Sequence, residues 1–150
     1  DNWSECIWID ASIIINCNLD VFVRQHCKSD FVLMKHPHRN CIYTEGAECI
    51  KRNKDTAEIV NKQMENYRIL SYPENNGLVA TGVMYRRNKQ EIKDFCKKWW
   101  SEVEAYSKRD QLSFNFVAHN TGIKYDMISF NILRIDFLLG YHKQHKLFKN

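Results

Sequence analysis

Four groups of residues have the types and spacing to do chemistry. Asp10 closes a short apolar run, Cys6-Ile7-Trp8-Ile9, in the segment Trp8-Ile9-Asp10-Ala11-Ser12. Ligands of open α/β sheets bind beyond the carboxyl ends of strands. A carboxylate there can hold a hard cation and, through it, phosphate oxygens. A turn or helix cap is the other use of the same residue. The second group is His36-Pro37-His38-Arg39-Asn40-Cys41, followed by Tyr43 and Glu45. As a substrate loop, Arg39 would meet anionic oxygens and Glu45 hydroxyls. A zinc site from Cys27, His36, His38 and Cys41 matches no common structural spacing, and a plain polar connection is the third reading. Arg109-Asp110-Gln111 is the third group. It suits a proton acceptor or a hydroxyl-gripping site, and Asp110 equally suits a helix cap. The fourth is His142-Lys143-Gln144-His145, two imidazoles near the end of the chain.

The elements that must carry these residues alternate between strand and helix, which predicts an α/β fold. Cys6–Ile9, Phe31–Met34, Leu78–Tyr85 and Met127–Ile132 read as strands. Gly82 inside the third marks a bulge or a close approach to the backbone. Ile59, Val60, Gln63, Met64 and Tyr67 share one face of a helix over about 55–67. Ile92, Phe95, Cys96, Trp99, Val103 and Tyr106 define a longer one, with Asn88 as N-cap and Glu91 completing a capping box. Trp99 joins the apolar stripe of that helix. Trp100 cannot share its face. Leu112, Phe114 and Phe116 fit a strand by alternation, and a helix if Asp110 caps it.

The chain has 150 residues and a net charge of +4. That length predicts one domain over 1–150 with a core that needs neither disulfide nor metal. Hydrophobic residues are 44% and charged residues 27%, which excludes disorder, collagen and coiled coil. No apolar run reaches the roughly 18 residues of a membrane helix, so no membrane segment is expected in this chain. Basic and acidic residues are mixed, without the stripe a nucleic-acid partner needs. Six cysteines contain no C-x-x-C pair, and their apolar settings favour a reducing compartment, hence cytoplasm over the secretory lumen. The P-loop, G-x-G-x-x-G, G-x-S-x-G and H-E-x-x-H motifs are all missing, which removes the usual support for kinase, serine hydrolase and zincin chemistry.

Taken in order, the motifs resemble a family. They are Trp8-Ile9-Asp10; His36-Pro37 with Arg39, Cys41, Tyr43 and Glu45; Gln63-Met64 with Tyr67; Gly77-Leu78 with Thr81-Gly82-Val83 and Arg86; Trp99-Trp100 with Glu102-Val103; and Ser107 with Arg109 to Phe114. The series, over about residues 7–117, resembles the TOD1/MUCI70-like glycosyltransferase domain. Thr81-Gly82-Val83 and Asp110-Gln111 are also similar to elements of GT-A glycosyltransferases.

The resemblance implies a GT-A-like mixed sheet flanked by helices, with 110–118 helical. It implies transfer of a sugar from a nucleotide-sugar donor to a hydroxyl of a glycan acceptor, with Mn²⁺ (or Mg²⁺) as cofactor. Asp10, Ser12 and His142 would be the metal ligands, with His145 the alternative histidine. Ser12 stands where the family of folds has a second carboxylate. Asp110 and Arg109 would be catalytic. Asp110 would take the acceptor's proton in an inverting reaction, or orient the donor sugar in a retaining one. His36, Arg39, Glu45, Gly77, Thr81, Gly82, Arg86 and Gln111 would bind substrate. A GT-A domain carries a nucleotide-binding βαβ half before its metal motif, and only nine residues precede Asp10. The start at Asp1 therefore predicts the C-terminal portion of a longer catalytic domain. The alternative is a non-catalytic carbohydrate- or protein-binding module derived from the same fold.

Overall fold

The computed structural model describes residues 3–132 and the backbone of the strand Phe137–Leu139. The chain runs β1 (Glu5–Ile9), β2 (Ile13–Ile15), α1 (Leu19–His26), β3 (Phe31–Lys35), α2 (Ile42–Lys51), α3 (Ala57–Ile69), β4 (Val79–Arg87), α4 (Gln90–Ala105), α5 (Gln111–Thr121), β5 (Asp126–Ile128) and β6 (Phe137–Leu139). Four strands form one mixed sheet in the order β1-β4-β3-β5. The β1/β4 and β4/β3 pairs are antiparallel, and β5 lies parallel to β3. β2 and β6 form a separate two-stranded ribbon. The fold is mixed α/β with helices on both faces of the sheet, as the alternation of patterns predicts.

The pleat sorts the core. Phe31 and Leu33 on β3 and Met84 on β4 face α2, α3, α4 and α5, whose buried residues include Ile42, Met64, Phe95, Trp99 and Phe114. Val32, Met34, Val83 and Tyr85 face the other way, toward Phe22 of α1. β3 is buried at four of five positions, so it reads as a continuous apolar run rather than an alternating one. β1 is half-exposed and, among the described residues, pairs with β4 alone.

The β3/β4 register breaks at one point. Leu33 pairs with Met84, but Met34 pairs with Ala80. Thr81, Gly82 and Val83 are therefore extra on β4, and the strand bulges there. The bulge leans toward β1: Val83 pairs with Ile9, and the Gly82 carbonyl accepts from the Asp10 N–H at 2.8 Å. The glycine in the strand marks both a bulge and a close backbone approach.

Two local expectations change, and one open alternative resolves as the resemblance implies. α4 begins at Gln90, with Lys89 as N-cap and no side-chain cap. Asn88 instead donates its side chain to the Trp3 carbonyl, so no capping box forms with Glu91. The fourth strand stops at Ile128. Ser129 caps a helical turn at 130–132, its Oγ accepting from the Asn131 N–H at 3.3 Å. The segment 111–121 is helix. Its alternating Leu112, Phe114 and Phe116 are all buried because α5 is enclosed on nearly every side.

Candidate functional site

The β4 bulge brings two carboxylates together. Asp10 follows β1 in a tight turn in which its Oδ1 accepts from the Ser12 N–H at 2.9 Å. The turn lies directly on Gly82. A β-carbon there would meet Ile13 Cδ1 at 3.3 Å and Asp10 Cβ at 3.9 Å, so a side chain on Gly82 would need the Ile13 side chain to give by a few tenths of an ångström. From the neighbouring position, Thr81 donates its hydroxyl to Asp110 Oδ1 at 3.1 Å. Adjacent residues of one strand thus touch Asp10 and Asp110, which are near enough for the charge on Asp10 to raise the proton affinity of Asp110.

Asp110 is both N-cap and partly buried carboxylate. Its Oδ1 accepts from the Gln111 N–H at 2.8 Å, which opens α5. Trp99 fixes the same turn, its indole N–H donating to the Asp110 carbonyl at 3.0 Å and to Ser113 Oγ at 3.1 Å. Trp99 is core, as its place in the stripe of α4 requires. Burial raises the Asp110 carboxyl above its ordinary range; the bonds from Thr81 and Gln111 and the charge of Arg109 oppose the shift without cancelling it. On either side stand buried donors without partners, Arg109 Nε and the Gln111 side-chain Nε2. Such orphaned groups are uncommon in a settled core and mark places where a ligand can complete the bonding.

The loop leading into this turn is clamped from afar. Asp55, at the start of α3, accepts from the fully buried Ser107 hydroxyl at 2.7 Å and from the Lys108 N–H at 3.1 Å. Ser107 Oγ in turn accepts from the Arg109 N–H at 3.1 Å. Asp55→Ala is expected to destabilise the domain by about 2 kcal/mol, since the Ser107 hydroxyl stays buried without its acceptor. Urea unfolding checks this, and an unchanged midpoint would remove the clamp from the account.

The second polar group arranges itself differently from the expectation. Glu45 lies on α2 with only 7% of its surface exposed. One of its oxygens pairs with Arg39 Nε and lies 3.7 Å from His36 Nε2; the other accepts from the Cys49 thiol. Arg39 and Glu45 therefore meet each other rather than standing open to a ligand. His36 shapes the loop, its Nδ1 accepting from the Arg39 N–H at 2.9 Å. Burial lowers its proton affinity, against the pull of Glu45. Arg109 touches this group through the Cys49 thiol. Gly77 holds a turn at φ +86 ahead of β4, a conformation that favours glycine. Among the described residues no three His, Cys, Asp or Glu gather as a metal cluster, Cys27, His36, His38 and Cys41 included. His142 and His145 lie outside the described residues.

Arg86 belongs to the surroundings of Asp110. A groove of about 470 Å³ runs from Asp110 past Met84 to Arg86, walled by Trp8 and Trp100. Sequence reasoning left Trp8 unassigned. Its signal was available, because strand alternation sets Trp8 on the face opposite the apolar Ile7 and Ile9.

No curated protein and no solved structure matches the chain significantly. A family model does, that of the TOD1/MUCI70 glycosyltransferase-like domain, over residues 2–136. That span contains β1, the bulged β4, α5 and every residue of the Asp10–Asp110 centre. The chain belongs to the TOD1/MUCI70 glycosyltransferase-like family.

Proposed function

We propose that this domain transfers a sugar from a nucleotide-sugar to the hydroxyl of a glycan acceptor, with Asp10 on the diphosphate side and Asp110 on the acceptor side. The observation that carries the reading is the pair of carboxylates drawn to Thr81 and Gly82 of the β4 bulge. Their settings differ as the two tasks require. Asp10 is exposed, while Asp110 is partly buried with raised proton affinity. A carboxyl pushed toward neutrality from its ordinary range is better matched to accepting a proton.

The donor set around Asp10 fits a hard cation. It offers a carboxylate and, two residues on, the Ser12 hydroxyl, both oxygen ligands. Mn²⁺ (or Mg²⁺) would be held by Asp10 and Ser12, with diphosphate oxygens and, by resemblance to GT-A enzymes, His142 completing the shell. When bound, such an ion supplies neutralisation of the charge that grows on the departing diphosphate.

The remaining work falls to the chain. Thr81 and the Gln111 N–H hold Asp110 Oδ1, which leaves Oδ2 to accept the acceptor hydroxyl's proton. The acceptor oxygen then bonds the anomeric carbon as the carbon–phosphate oxygen bond breaks, and the diphosphate leaves with the electron pair. The Gln111 side-chain nitrogen and Arg109 Nε, both without a hydrogen-bond partner, would bind sugar hydroxyls and anionic oxygens. Glycine at 82 keeps the bulge narrow enough for the Asp10 turn.

Titration calorimetry with UDP and with GDP, each with and without Mn²⁺, tests this. Manganese-dependent binding of one nucleotide is expected, weakened at least about tenfold in Asp10→Ala, the scale of losing one ligand or its close support. Absence of any nucleotide binding would favour a non-catalytic binding module on the same fold.

A further inference from the structure

The groove beside Asp110 has a composition that the transfer centre does not account for. Trp8 is 53% exposed and Trp100 61% exposed. Tryptophan is ordinarily well buried, and here two of them stand open on one cavity. Each is open for a structural reason. Trp8 pairs across the strands with Met84. Met84 is covered by the α4 side of the core, while Trp8 sits on the edge strand beyond that cover. Trp100 follows Trp99 on α4, so it points away from the stripe that Trp99 buries. The core uses neither indole.

Met84 and Val103 are part of the apolar lining of the groove, and Asp110 and Arg86 are part of its polar lining. Arg86 is bonded through Nη1 to the Cys96 thiol, with its Nε buried and unpartnered. Lys108 adds a second positive charge to the lining. This is the usual make-up of a small-ligand site, an apolar lining with a few convergent polar groups, and its volume lies within the range of about 300–1,000 Å³ for such sites. A pyranose ring has the matching chemistry: a carbon–hydrogen face that lies on an aromatic ring, and a rim of hydroxyls.

We propose that the groove is the acceptor subsite, holding a pyranose of the acceptor glycan on the Trp8 and Trp100 indoles so that one of its hydroxyls reaches Asp110. The assignment rests on the transferase reading for the role of acceptor; saccharide binding itself does not. Continuity with the transfer centre selects this occupant, because Asp110 belongs to both.

The test follows the indole N–H signals of the ¹⁵N-labelled chain by NMR. The probes are hexaoses of glucose, mannose, galactose and xylose, and an oligoglucuronate that answers to Arg86 and Lys108. Each is titrated alone and again with UDP and Mn²⁺ present. At least one probe is expected to shift the Trp8 and Trp100 signals while leaving Trp3, which is not part of the groove lining, nearly unmoved. Trp8→Ala and Trp100→Ala should each weaken that probe about tenfold, and Trp100→Phe should keep most of the binding. Both side chains are exposed, so thermal melts of the variants should match the parent. No response of either indole to any probe in either condition overturns the proposal. So does binding that both alanine variants leave unchanged. If no nucleotide binds but the indoles still respond, the donor reading fails and the saccharide groove stands. If a nucleotide binds and no saccharide moves the indoles, only the groove falls.

Discussion

Asp110→Asn is expected to reduce sugar transfer by about 10³-fold while leaving nucleotide affinity within a few-fold, since general-base groups contribute about 10²–10⁴. The substitution is close to isosteric. The amide oxygen can still accept from the Thr81 hydroxyl and the Gln111 N–H, which now meet at Oδ1. The capped turn of α5 and the Trp99 bond to the Asp110 carbonyl stay in place. What disappears is the ability to take a proton. The pH profile gives a second readout. Burial raises the carboxyl above its ordinary value of 3.8, so the parent should lose rate as the pH falls through that raised value. Stability should move the other way. A carboxyl with a raised folded-state value contributes stability below its unfolded value and loses it as pH rises. At neutral pH the ionised, buried Asp110 is therefore a burden, and the Asn variant should melt at the same temperature or higher. A variant that keeps its transfer rate would dismiss Asp110 as the base. One that loses activity together with its melting temperature would mean that the residue works through the fold.

Phe114→Ala should be the most damaging single truncation for the fold, costing about 3–5 kcal/mol. Phe114 is fully buried and lies four residues beyond Asp110, on α5. Its ring makes edge-on contacts with Phe31 of β3, Phe95 and Trp99 of α4, and Tyr125 before β5, at centroid distances of 5.6, 5.2, 5.0 and 5.1 Å. The cavity left by its removal would be lined by rigid rings on three elements, which have little freedom to collapse. The melting temperature should fall by roughly 10 °C, at about 2–4 °C per kcal/mol for a domain of this size. Guanidinium unfolding measures the same loss. A loss below about 1 kcal/mol would mean that the aromatic cluster repacks, contrary to the usual cost of removing a core aromatic ring.

The strands β1, β3 and β4 and the helices α3 and α4 were legible in the sequence because their periodicity is strong and burial follows it. α1 was missed although its signals are present: Asn18 accepts from the Val21 N–H, Asp20 lies in the first turn, and Arg24 and His26 lie in the last. Val21 and Val23 within it read equally as strand. α2 was missed for a different reason. It starts at Ile42 behind Cys41, which offers no side-chain cap, and it carries Gly46 in its middle. That glycine is explained only by packing, since a β-carbon there would lie 3.1 Å from Met64 Cγ of α3. Of the candidate site, the residue types around Asp10, Thr81-Gly82 and Asp110 were legible. That one bulge joins them was not, because a register shift depends on both strands of the pair. The pairing of Arg39 with Glu45 was also hidden. The sequence shows two charges six residues apart, and only the buried face of α2 turns one onto the other.

β1 is an edge strand, and this has a consequence for the carboxylate it carries. Among the described residues its ladder bonds go to β4 alone, and β4 lies far away in sequence, with Glu5 opposite Arg87. A pairing of such long sequence separation closes late during folding. A half-exposed edge with one partner is also among the first segments to open under native conditions. Asp10 hangs from the end of that strand, whereas Asp110 is anchored in α5, which is buried from Leu112 to Ala118. The two halves of the centre thus differ in permanence. The Asp110 side persists through local fluctuations of the sheet, and the Asp10 turn keeps its place only while the first strand stays zipped.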